Sequence, residues 1–370
     1  MHRDLVSLLL RDPVAASTFG LSDWDLLVRQ ARRAGLLARL LTRLRQHGVA
    51  EHVPEQALLH LESALTVADR QAVAVAWEAR MLRDALADTG VPIVLLKGAA
   101  YVMARLSAAQ GRTFSDVDIL VPEASLPEVE SALMLAGWHG DRRNAYDQRY
   151  YREWMHEIPP MQHWHRGTTV DVHHGILPRT ARLKPNSEKL LAAAVDLPGS
   201  PGLKVLSPVD MVLHSATHLF HNEELSMGPR DLSDLDHLLR EFGESADFWQ
   251  DLPDRAADLD LTRPLYYALR YAARQYATPV PPDTMAALEA LSPAWPVRTI
   301  MDGIYRRMLA PHHESLEDWG TPLASLSAYV RGHWLRMPPH LLLPHLFYKA
   351  FLAERAEAAQ EKEIGAERPR

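Results

Sequence analysis

The chain has 370 residues, of which 47% are hydrophobic and 24% are charged, and its formal net charge at pH 7 is −7 with histidine neutral. This length is enough for roughly two domains of about 100–200 residues each. Proteins that coat nucleic acid are usually basic, so the acidic balance argues against a dedicated nucleic-acid binder. The absence of cysteine excludes a disulfide framework, a thiol nucleophile and a cysteine-type zinc site.

No apolar run reaches the ~18–20 residues that a membrane-spanning helix needs. The first residues, Met1 to Asp4, carry charges instead of the pattern of a signal peptide. We therefore expect a cytoplasmic protein without a membrane span.

Residues 1–89 are predicted to form an N-terminal helical region. Leu36, Leu40 and Leu44 recur at helical spacing, and residues 55–88 are rich in alanine, leucine and glutamate, which favour helices. No side chain here indicates chemistry, so we interpret the region as a helical lid or packing layer.

Residues 90–180 differ, because short apolar runs rich in β-branched residues alternate with helical segments. The predicted elements are strands at 91–96 and 117–121, helices at 99–109 and 125–137, and an antiparallel hairpin over 150–176. Two helices on a mostly antiparallel sheet predict a small α+β domain.

Residues 181–353 are again typical of helices, and the clearest helices are predicted at 208–224 and 230–240. The last segment, residues 354–370, is charged and nearly lacks large apolar side chains, which predicts a frayed helix or a disordered tail. The chain is thus predicted to be an α+β core with N- and C-terminal helical regions.

Two aspartates in the second predicted strand carry the strongest chemical signal. Residues two apart in a strand point to the same face, so Asp116 and Asp118 project together while Val117 and Ile119 enter the core. Neighbouring carboxylates repel each other unless a cation lies between them, and Mg²⁺ takes carboxylate oxygens, water and phosphates as ligands. A bare Asp-x-Asp is more often a solvated strand end, but this pair lies in an apolar run.

A third aspartate, Asp171, lies mid-strand in the predicted hairpin. A neighbouring strand could bring it beside Asp116 and Asp118, and three carboxylates can hold two metal ions about 4 Å apart for in-line nucleotidyl displacement. Lys97 and Gly98 end the first strand, where a glycine lets backbone amides approach a phosphate and a lysine can neutralise it. These residues indicate a magnesium and phosphate site.

The order of these motifs resembles the DNA polymerase β-like nucleotidyltransferase superfamily, and within it a bacterial family of uncharacterised nucleotidyltransferases. The matching features are Leu96-Lys97-Gly98, Arg112, Ser115 to Val121, Gly137-Trp138, Val170 to His173, the helix with His214, His218 and His221, Arg230 to Leu235, and residues 336–351. The resemblance covers most of the chain, although the specific motifs lie within residues 95–240.

The resemblance implies a polymerase β-like core in which Asp116, Asp118 and Asp171 bind two Mg²⁺ ions, with Mn²⁺ as a substitute. It also implies that a nucleoside monophosphate moves from a nucleoside triphosphate, such as ATP, to an acceptor, with release of pyrophosphate. The superfamily usually has Gly-Ser or Gly-Gly at the phosphate turn, whereas Ala99 follows Gly98 here. No hydroxyl is therefore available at that place.

Lys97, Arg112 and Ser115 are the candidates to hold the phosphates in place of that hydroxyl. Arg112 could equally brace the carboxylates. His173 shares a strand face with Asp171, so it is either a phosphate or acceptor contact or a hydrogen-bonded structural histidine.

His214, His218 and His221 are four and three residues apart and therefore line one helix face. The spacing suits zinc, but without a clear fourth ligand these side chains are better interpreted as cleft lining or packing. The charged segment from Arg230 to Asp236 is by default a solvated face, with Arg230 near the acceptor or phosphate as the alternative. The candidate acceptor cleft is therefore formed by His173, His214, His218 and Arg230.

The acceptor is not defined by the sequence. The acidic composition favours a small molecule or a peptide natural product. RNA is the alternative, as in nucleotidyltransferase toxins, and a basic groove leading to Asp116 would favour it. A third hypothesis is a catalytically inactive module that binds nucleotide or a protein partner, against which the three aspartates argue.

Overall fold

A computed structural model of the chain describes residues 3–140, 148–222 and 225–351. Within these ranges the fold is α+β, with one seven-stranded sheet and helical regions before and after it in the sequence. The predicted fold class, an α+β core with N- and C-terminal helical regions, is confirmed.

The N-terminal region is helical, as predicted, and packs around leucine side chains. Its helices are α1 (Leu5–Arg11), α2 (Leu21–Ala34), α3 (Leu37–Gln46) and α4 (Glu55–Leu86). On α3, which packs against α4, Leu40, Leu41 and Leu44 are fully buried. Their spacing forms the apolar stripe that holds an amphipathic helix on a core.

The sheet joins short strands from residues 93–205. They are β1 (Ile93–Leu95), β2 (Asp116–Leu120), β3 (Trp138–Gly140), β4 (Met161–His163), β5 (Thr169–His173), β6 (Val195–Asp196) and β7 (Leu203–Val205). Their order across the sheet is β3-β4-β5-β2-β1-β7-β6. The pairs β2–β5 and β1–β7 are parallel and the other pairs are antiparallel, so the sheet is mostly antiparallel, as predicted.

The parallel pair β2–β5 positions the candidate site. In its register Asp118 lies directly opposite Asp171, and Asp116 lies opposite Thr169. Neighbouring strands are only ~4.8 Å apart, so this register places the carboxylates of the two strands together. Helix α5 (Lys97–Met103) follows β1, and helix α6 (Leu126–Leu135) follows β2.

Two elements of the core are shorter than the sequence pattern predicts. The hairpin predicted over 150–176 is limited to β4 and β5, because Tyr150–Trp154 forms a π-helical turn. The helix predicted over 99–109 ends at Met103 as α5. It stops there because Arg105 adopts the left-handed conformation, with φ at 57°, which ends the helical hydrogen bonding.

Strands β6 and β7 lie where the sequence was interpreted as helical. Val195–Asp196 pairs with Leu203–Val205, and the latter extends the sheet beside β1. The sheet therefore takes two strands from beyond residue 180, the predicted end of the core. The division into regions 1–89, 90–180 and 181–353 stays a prediction.

The remaining chain is helical. Its helices are α7 (Ser187–Ala192), α8 (Pro208–His221), α9 (Gly228–Phe242), α10 (Ala246–Asp258), α11 (Thr262–Tyr276), α12 (Pro282–Glu289), α13 (Trp295–Met308), α14 (Thr321–Arg336) and α15 (Pro339–Phe351). Residues 223–224 of the helix predicted over 208–224 and the predicted tail 354–370 lie outside the described residues. No helix in the described ranges combines the length and the apolarity needed to cross a bilayer.

Helix α8 carries the three predicted histidines and begins at a clear capping motif. The Ser207 hydroxyl accepts a hydrogen bond from the Asp210 backbone N–H at 3.2 Å, and Pro208 occupies the first turn. The helix packs against α9 and α11, which places it in the interior. Its histidines are therefore held at fixed positions beside the sheet.

Candidate active site

Three carboxylates project from neighbouring strands toward one cavity. On β2, Val117 and Ile119 are buried in the core, so the strand alternation directs Asp116 and Asp118 to the other face. Asp171 on β5 lies between two buried valines and shares that face. One carboxylate oxygen from each aspartate lies within 4.8 Å of the others. The structure thus brings together the three aspartates that the sequence singled out.

Asp118 and Asp171 are in opposite electrostatic situations. Burial raises the pKa of Asp118, but Lys97 Nζ, 3.8 Å from its Oδ2, and His173 Nε2, 3.2 Å from its Oδ1, together hold this pKa well below its usual range. Burial, followed by the negative charges of Asp118 and Glu157, raises the pKa of Asp171 to about 7. The surroundings therefore stabilise the charged form of Asp118 and destabilise the charged form of Asp171.

The aspartate cluster fits a divalent cation with oxygen ligands. Asp171 Oδ1 is buried and has no hydrogen-bond partner among the described residues, and such an atom is costly unless a cation or a proton satisfies it. Asp116 is exposed to the cavity, and its Oδ1 accepts a hydrogen bond from the Ser115 hydroxyl at 3.0 Å. Carboxylate oxygens with open positions beside them are the ligands that Mg²⁺ takes.

Lys97 has an unusual backbone conformation at the end of β1. Its φ is 40°, in the left-handed region that residues with a Cβ atom seldom adopt. The side chain is 18% exposed and directs its ammonium group to Asp118. Strain of this kind persists only where the surrounding structure enforces it, and it is concentrated at functional sites.

Gly98 is required by close packing. A Cβ atom at this position would lie 2.7 Å from Arg112 Nη1 and 2.8 Å from Phe114 Cδ1, which is closer than such atoms can approach. The glycine therefore allows the Arg112 guanidinium to lie against the start of α5. This packing role is visible in the structure, and the predicted contact of Gly98 with phosphate stays a prediction.

Arg112 is held by a buried carboxylate of α9. Its Nε donates to Asp234 Oδ2 at 2.8 Å, and Arg39 Nη1 lies 2.7 Å from Asp234 Oδ1. Burial lowers the pKa of Arg112, but the charges of Asp234 and Asp231 outweigh it and raise this pKa. Asp234 is only 3% exposed, so the interpretation of residues 230–236 as a solvated face is wrong for this residue.

The candidate histidines have different surroundings. His173 is buried between Asp118 and Glu157, with its Nδ1 3.3 Å from Glu157 Oε2. Its pKa is lowered by burial but raised above its usual value by the hydrogen bond and charge of Asp118 and by Glu157. His214 is buried, and burial, followed by the charge of Lys97, lowers its pKa to about 3.

His218 and His221 line the cavity from α8. His218 Nδ1 lies 4.0 Å from Asp231 Oδ2, and burial lowers the pKa of His221 to about 3. In the described ranges, groups of three close metal-ligating side chains occur at the aspartates and around His173 but not along α8. A zinc site formed by the α8 histidines therefore has no structural support.

The cavity has a volume of about 320 Å³, at the lower end of the range for small-ligand sites. Arg230 lines it and pairs with Asp231 at 2.8 Å. Lys97, Arg112, Ser115 and His173 line it as well, and so does Arg336 at the end of α14. The cavity thus combines the three aspartates with cationic side chains from several elements.

Some residues of the site are not identified by the sequence analysis. His156 and Glu157 line the cavity beside His173, and Arg336 reaches it from the C-terminal region. The sequence around Ile158 does not alternate, because His156 and Glu157 are adjacent and two prolines follow Ile158, so no local pattern marked these two residues. Arg336 carries no such signal either, since only the fold brings it to the cavity.

Comparison with known proteins agrees with this geometry. Residues 21–277 match a family described as uncharacterised nucleotidyltransferase. The chain belongs to this family. The match covers more than half of the sequence and includes all three aspartates, so the resemblance inferred from the motifs is confirmed. The protein is therefore assigned to the nucleotidyltransferases as a class.

The chain is also similar to the solved structure of MenT4, nucleotidyltransferase toxin Rv2826c from Mycobacterium tuberculosis H37Rv. The identity is 17%, the alignment covers 73% of this chain and 98% of that chain, and the TM-score is 0.31. No protein with curated annotation matches the chain. The functional assignment therefore depends on the family and on the geometry of the site.

Proposed function

We propose that this nucleotidyltransferase moves a nucleoside monophosphate from a nucleoside triphosphate to a small-molecule or peptide acceptor, using divalent cations held by Asp116, Asp118 and Asp171. The observation that carries the proposal is the convergence of these three carboxylates within 4.8 Å at one cavity. Three carboxylates this close together repel each other, which is costly to a fold that does not use them and argues against an inactive binding module.

The aspartates would hold Mg²⁺, with Mn²⁺ as a substitute, through their cavity-facing oxygens. When bound, such ions neutralise phosphate charge and orient the attacking and leaving oxygens. The unsatisfied Oδ1 of Asp171 is the atom most in need of a cation. Without a cation, burial and the charges of Asp118 and Glu157 raise the pKa of Asp171 to about 7, and a bound divalent ion would offset that repulsion.

The cationic side chains would position the triphosphate. Lys97 is fixed by its strained backbone and lies 3.8 Å from Asp118, so a phosphate bound beside the aspartates comes within its reach. Arg230, which is paired with Asp231, faces the same cavity. Arg112 donates a hydrogen bond to Asp234, so we assign it a structural role beside the phosphates and no direct phosphate contact. Fixed cations of this kind stabilise charge in the transition state.

The size and charge of the cavity favour a small acceptor or a peptide end. A volume of about 320 Å³ leaves little room beyond a nucleotide, and a net charge of −7 opposes general attraction of RNA. His218, His221 and His173 line the cavity and would form the acceptor side, where imidazole nitrogens can donate or accept hydrogen bonds. His214 is buried and does not line the cavity.

The proposal is tested by thermal unfolding of the full chain with each of the four NTPs, with and without Mg²⁺. A nucleotide at about 100 times its dissociation constant should stabilise the protein by roughly 2.7 kcal/mol. The stabilisation should require Mg²⁺ and should vanish in the double variant Asp116→Asn/Asp118→Asn. Asp25→Asn, the same change at an exposed ion pair with Arg29 on α2, serves as the control and should respond like the wild type.

If no NTP stabilises the wild type in the presence of Mg²⁺, the proposed donor site is wrong and the inactive module becomes the better account. A second assay with α-labelled NTP identifies the acceptor class. Label in the low-mass or peptide fraction supports the proposal, whereas label in RNA would assign the chain to RNA modification.

A further inference from the structure

A second set of metal-binding side chains lies next to the three aspartates. One donor atom from each of His156, Glu157 and His173 lies within 4.8 Å of the other two, and all three residues line the cavity. This set shares no residue with the aspartate cluster. It includes two imidazoles, which the aspartate cluster does not have.

The backbone fixes these donors before any cation binds. The segment with His156 and Glu157 forms an antiparallel bridge to His173 at the end of β5. On either side, Ile158 N–H donates to the Val172 carbonyl at 3.0 Å, and His174 N–H donates to the His156 carbonyl at 2.8 Å. Preorganised ligands lose little conformational freedom when a metal ion binds.

The hydrogen bonds of His173 leave a place for a positive charge. Its Nε2 lies 3.2 Å from Asp118 Oδ1, and because a carboxylate can only accept, this nitrogen carries the hydrogen. The other nitrogen, Nδ1, lies 3.3 Å from Glu157 Oε2. A lone pair and a carboxylate at this distance repel each other unless a proton or a metal ion lies between them.

His156 adds a ligand that the protein leaves unused. Its Nδ1 is buried and has no hydrogen-bond partner among the described residues. A buried polar atom without a partner is costly to the fold, and a metal ion bound to this nitrogen would remove that cost. The His156 and His173 ring centroids are 5.2 Å apart, close enough for both rings to reach one ion.

We propose that His156, Glu157 and His173 form a transition-metal site, of the type that binds Zn²⁺, separate from the aspartate cluster. Two imidazole nitrogens and one carboxylate are the donors that Zn²⁺ takes at sites with an open fourth position, and they differ from the all-oxygen set that Mg²⁺ takes. Because all three residues line the cavity, a water or a substrate oxygen from the cavity could fill the fourth position.

The contact from His173 to Asp118 would hold the imidazole ring in place at the proposed site. A metal-binding histidine commonly donates its other ring N–H to a carboxylate, which fixes the orientation of the ring. Here that carboxylate belongs to the aspartate cluster, so the two sites would be linked through one imidazole. The proposed metal site does not depend on the proposed nucleotidyl transfer, because its ligands can bind a metal ion without NTP.

The test uses full-length protein freed of metal by a chelator and titrated with Co²⁺, whose visible absorption reports nitrogen ligands. The titration is performed in excess Mg²⁺, which occupies oxygen-only sites, and Zn²⁺ is then added as a competitor. We expect one Co²⁺ per chain, displaced by Zn²⁺. His156→Ala and Glu157→Gln should each weaken Co²⁺ binding at least about tenfold, whereas Asp116→Asn should leave it within about twofold of the wild type.

Two outcomes would overturn the proposal. Absence of Co²⁺ absorption in the wild type would mean that a proton, not a metal ion, bridges His173 and Glu157. Loss of binding in Asp116→Asn with normal binding in His156→Ala would place the ion at the aspartates. Circular dichroism of the metal-free variants monitors folding, and His156→Gln replaces His156→Ala if the latter unfolds. Failure of NTP to stabilise the protein would leave this result unaffected.

Discussion

Two groups of charged side chains meet at the cavity, and they are balanced differently. In one group, Asp234 is buried between two guanidinium groups, those of Arg39 and Arg112. In the other group, formed by Asp116, Asp118 and Asp171, Asp118 has Lys97 and His173 as close partners, whereas Asp171 Oδ1 is buried without a hydrogen-bond partner among the described residues. The charge of the first group is balanced by arginines of the protein itself, whereas we propose that the second group is balanced by bound cations.

This difference separates a structural role from a functional one. Asp234 has two arginine partners, and their charges lower its pKa despite burial. Removing this carboxylate would leave two buried positive charges without a partner. A cluster that raises the pKa of one member to about 7 costs stability and is retained where the charge is used. Substitutions in the aspartate cluster should therefore mainly change activity, whereas substitution of Asp234 should mainly change the free energy of unfolding.

The largest expected effect is on catalysis at the aspartate cluster. Asp118→Asn keeps the shape of the side chain but removes the charge between Lys97 and His173, so nucleotidyl transfer should fall on the order of 10⁴-fold, which corresponds to roughly 5.4 kcal/mol in the activation barrier. Label transfer from α-labelled NTP measures the loss. Activity within tenfold of the wild type would remove Asp118 from the proposed machinery.

The next effect is on stability at the arginine cluster. Asp234→Ala leaves Arg39 and Arg112 as uncompensated buried charges, so the free energy of unfolding should fall by about 3–5 kcal/mol. Chemical denaturation of the metal-free protein measures the change. Asp118→Asn in the same assay is the matched comparison and should lose much less stability. Equal losses in the two variants would contradict the distinction drawn between the clusters.

The pH dependence of stability should show the strained carboxylate directly. The pKa of Asp171 is about 7 in the folded chain and near 3.8 in the unfolded chain. Because the pKa is higher in the folded chain, the stabilising contribution of Asp171 to the free energy of unfolding is fully present below about pH 4. It is lost as the pH rises to about 7. The loss is at most ~1.4 kcal/mol per pH unit.

Denaturation in a chelator at several pH values tests this expectation. The wild type should lose stability relative to Asp171→Asn between about pH 4 and 7, and saturating Mg²⁺ should reduce the difference. Parallel stability curves for the two proteins in the chelator would show that Asp171 carries no electrostatic strain.

The smallest effect concerns the packing between the two clusters. In Gly98→Ala the new Cβ would lie 2.7 Å from Arg112 Nη1 and 2.8 Å from the Phe114 ring, so the protein should lose about 1–3 kcal/mol of stability. Ala100→Gly on the same helix removes a buried methyl group without adding a clash, so it should cost at least ~1 kcal/mol and gives a loss for comparison. A Gly98→Ala variant as stable as the wild type would show that Arg112 moves away freely.

The sequence predicted the part of the site that follows from local patterns. Alternation along β2 and β5 was enough to place Asp116, Asp118 and Asp171 on one strand face, and the short apolar run before Lys97 was enough to predict β1. These patterns work because a strand has a period of two residues and its buried face is apolar.

The remaining parts of the site depend on contacts between distant segments. The pairing of Arg112 with Asp234 joins residues 122 apart, and no local pattern distinguishes Asp234 from the more exposed Asp231 on the same helix. The approach of Glu157 to His173 depends on an isolated bridge before β4, and no local pattern in the sequence marks that bridge. The left-handed Lys97 is likewise a product of its surroundings, since a lysine carries no preference for that conformation.

The central claim is that the aspartate cluster is completed by divalent cations. Mn²⁺ binding followed by electron paramagnetic resonance in the presence of an NTP tests it most directly, with His156→Ala as the background so that the second proposed site does not contribute. We predict about two Mn²⁺ ions per chain, lost in the further variants Asp118→Asn and Asp171→Asn and retained in Asp25→Asn. Unchanged Mn²⁺ binding in both aspartate variants would contradict the account.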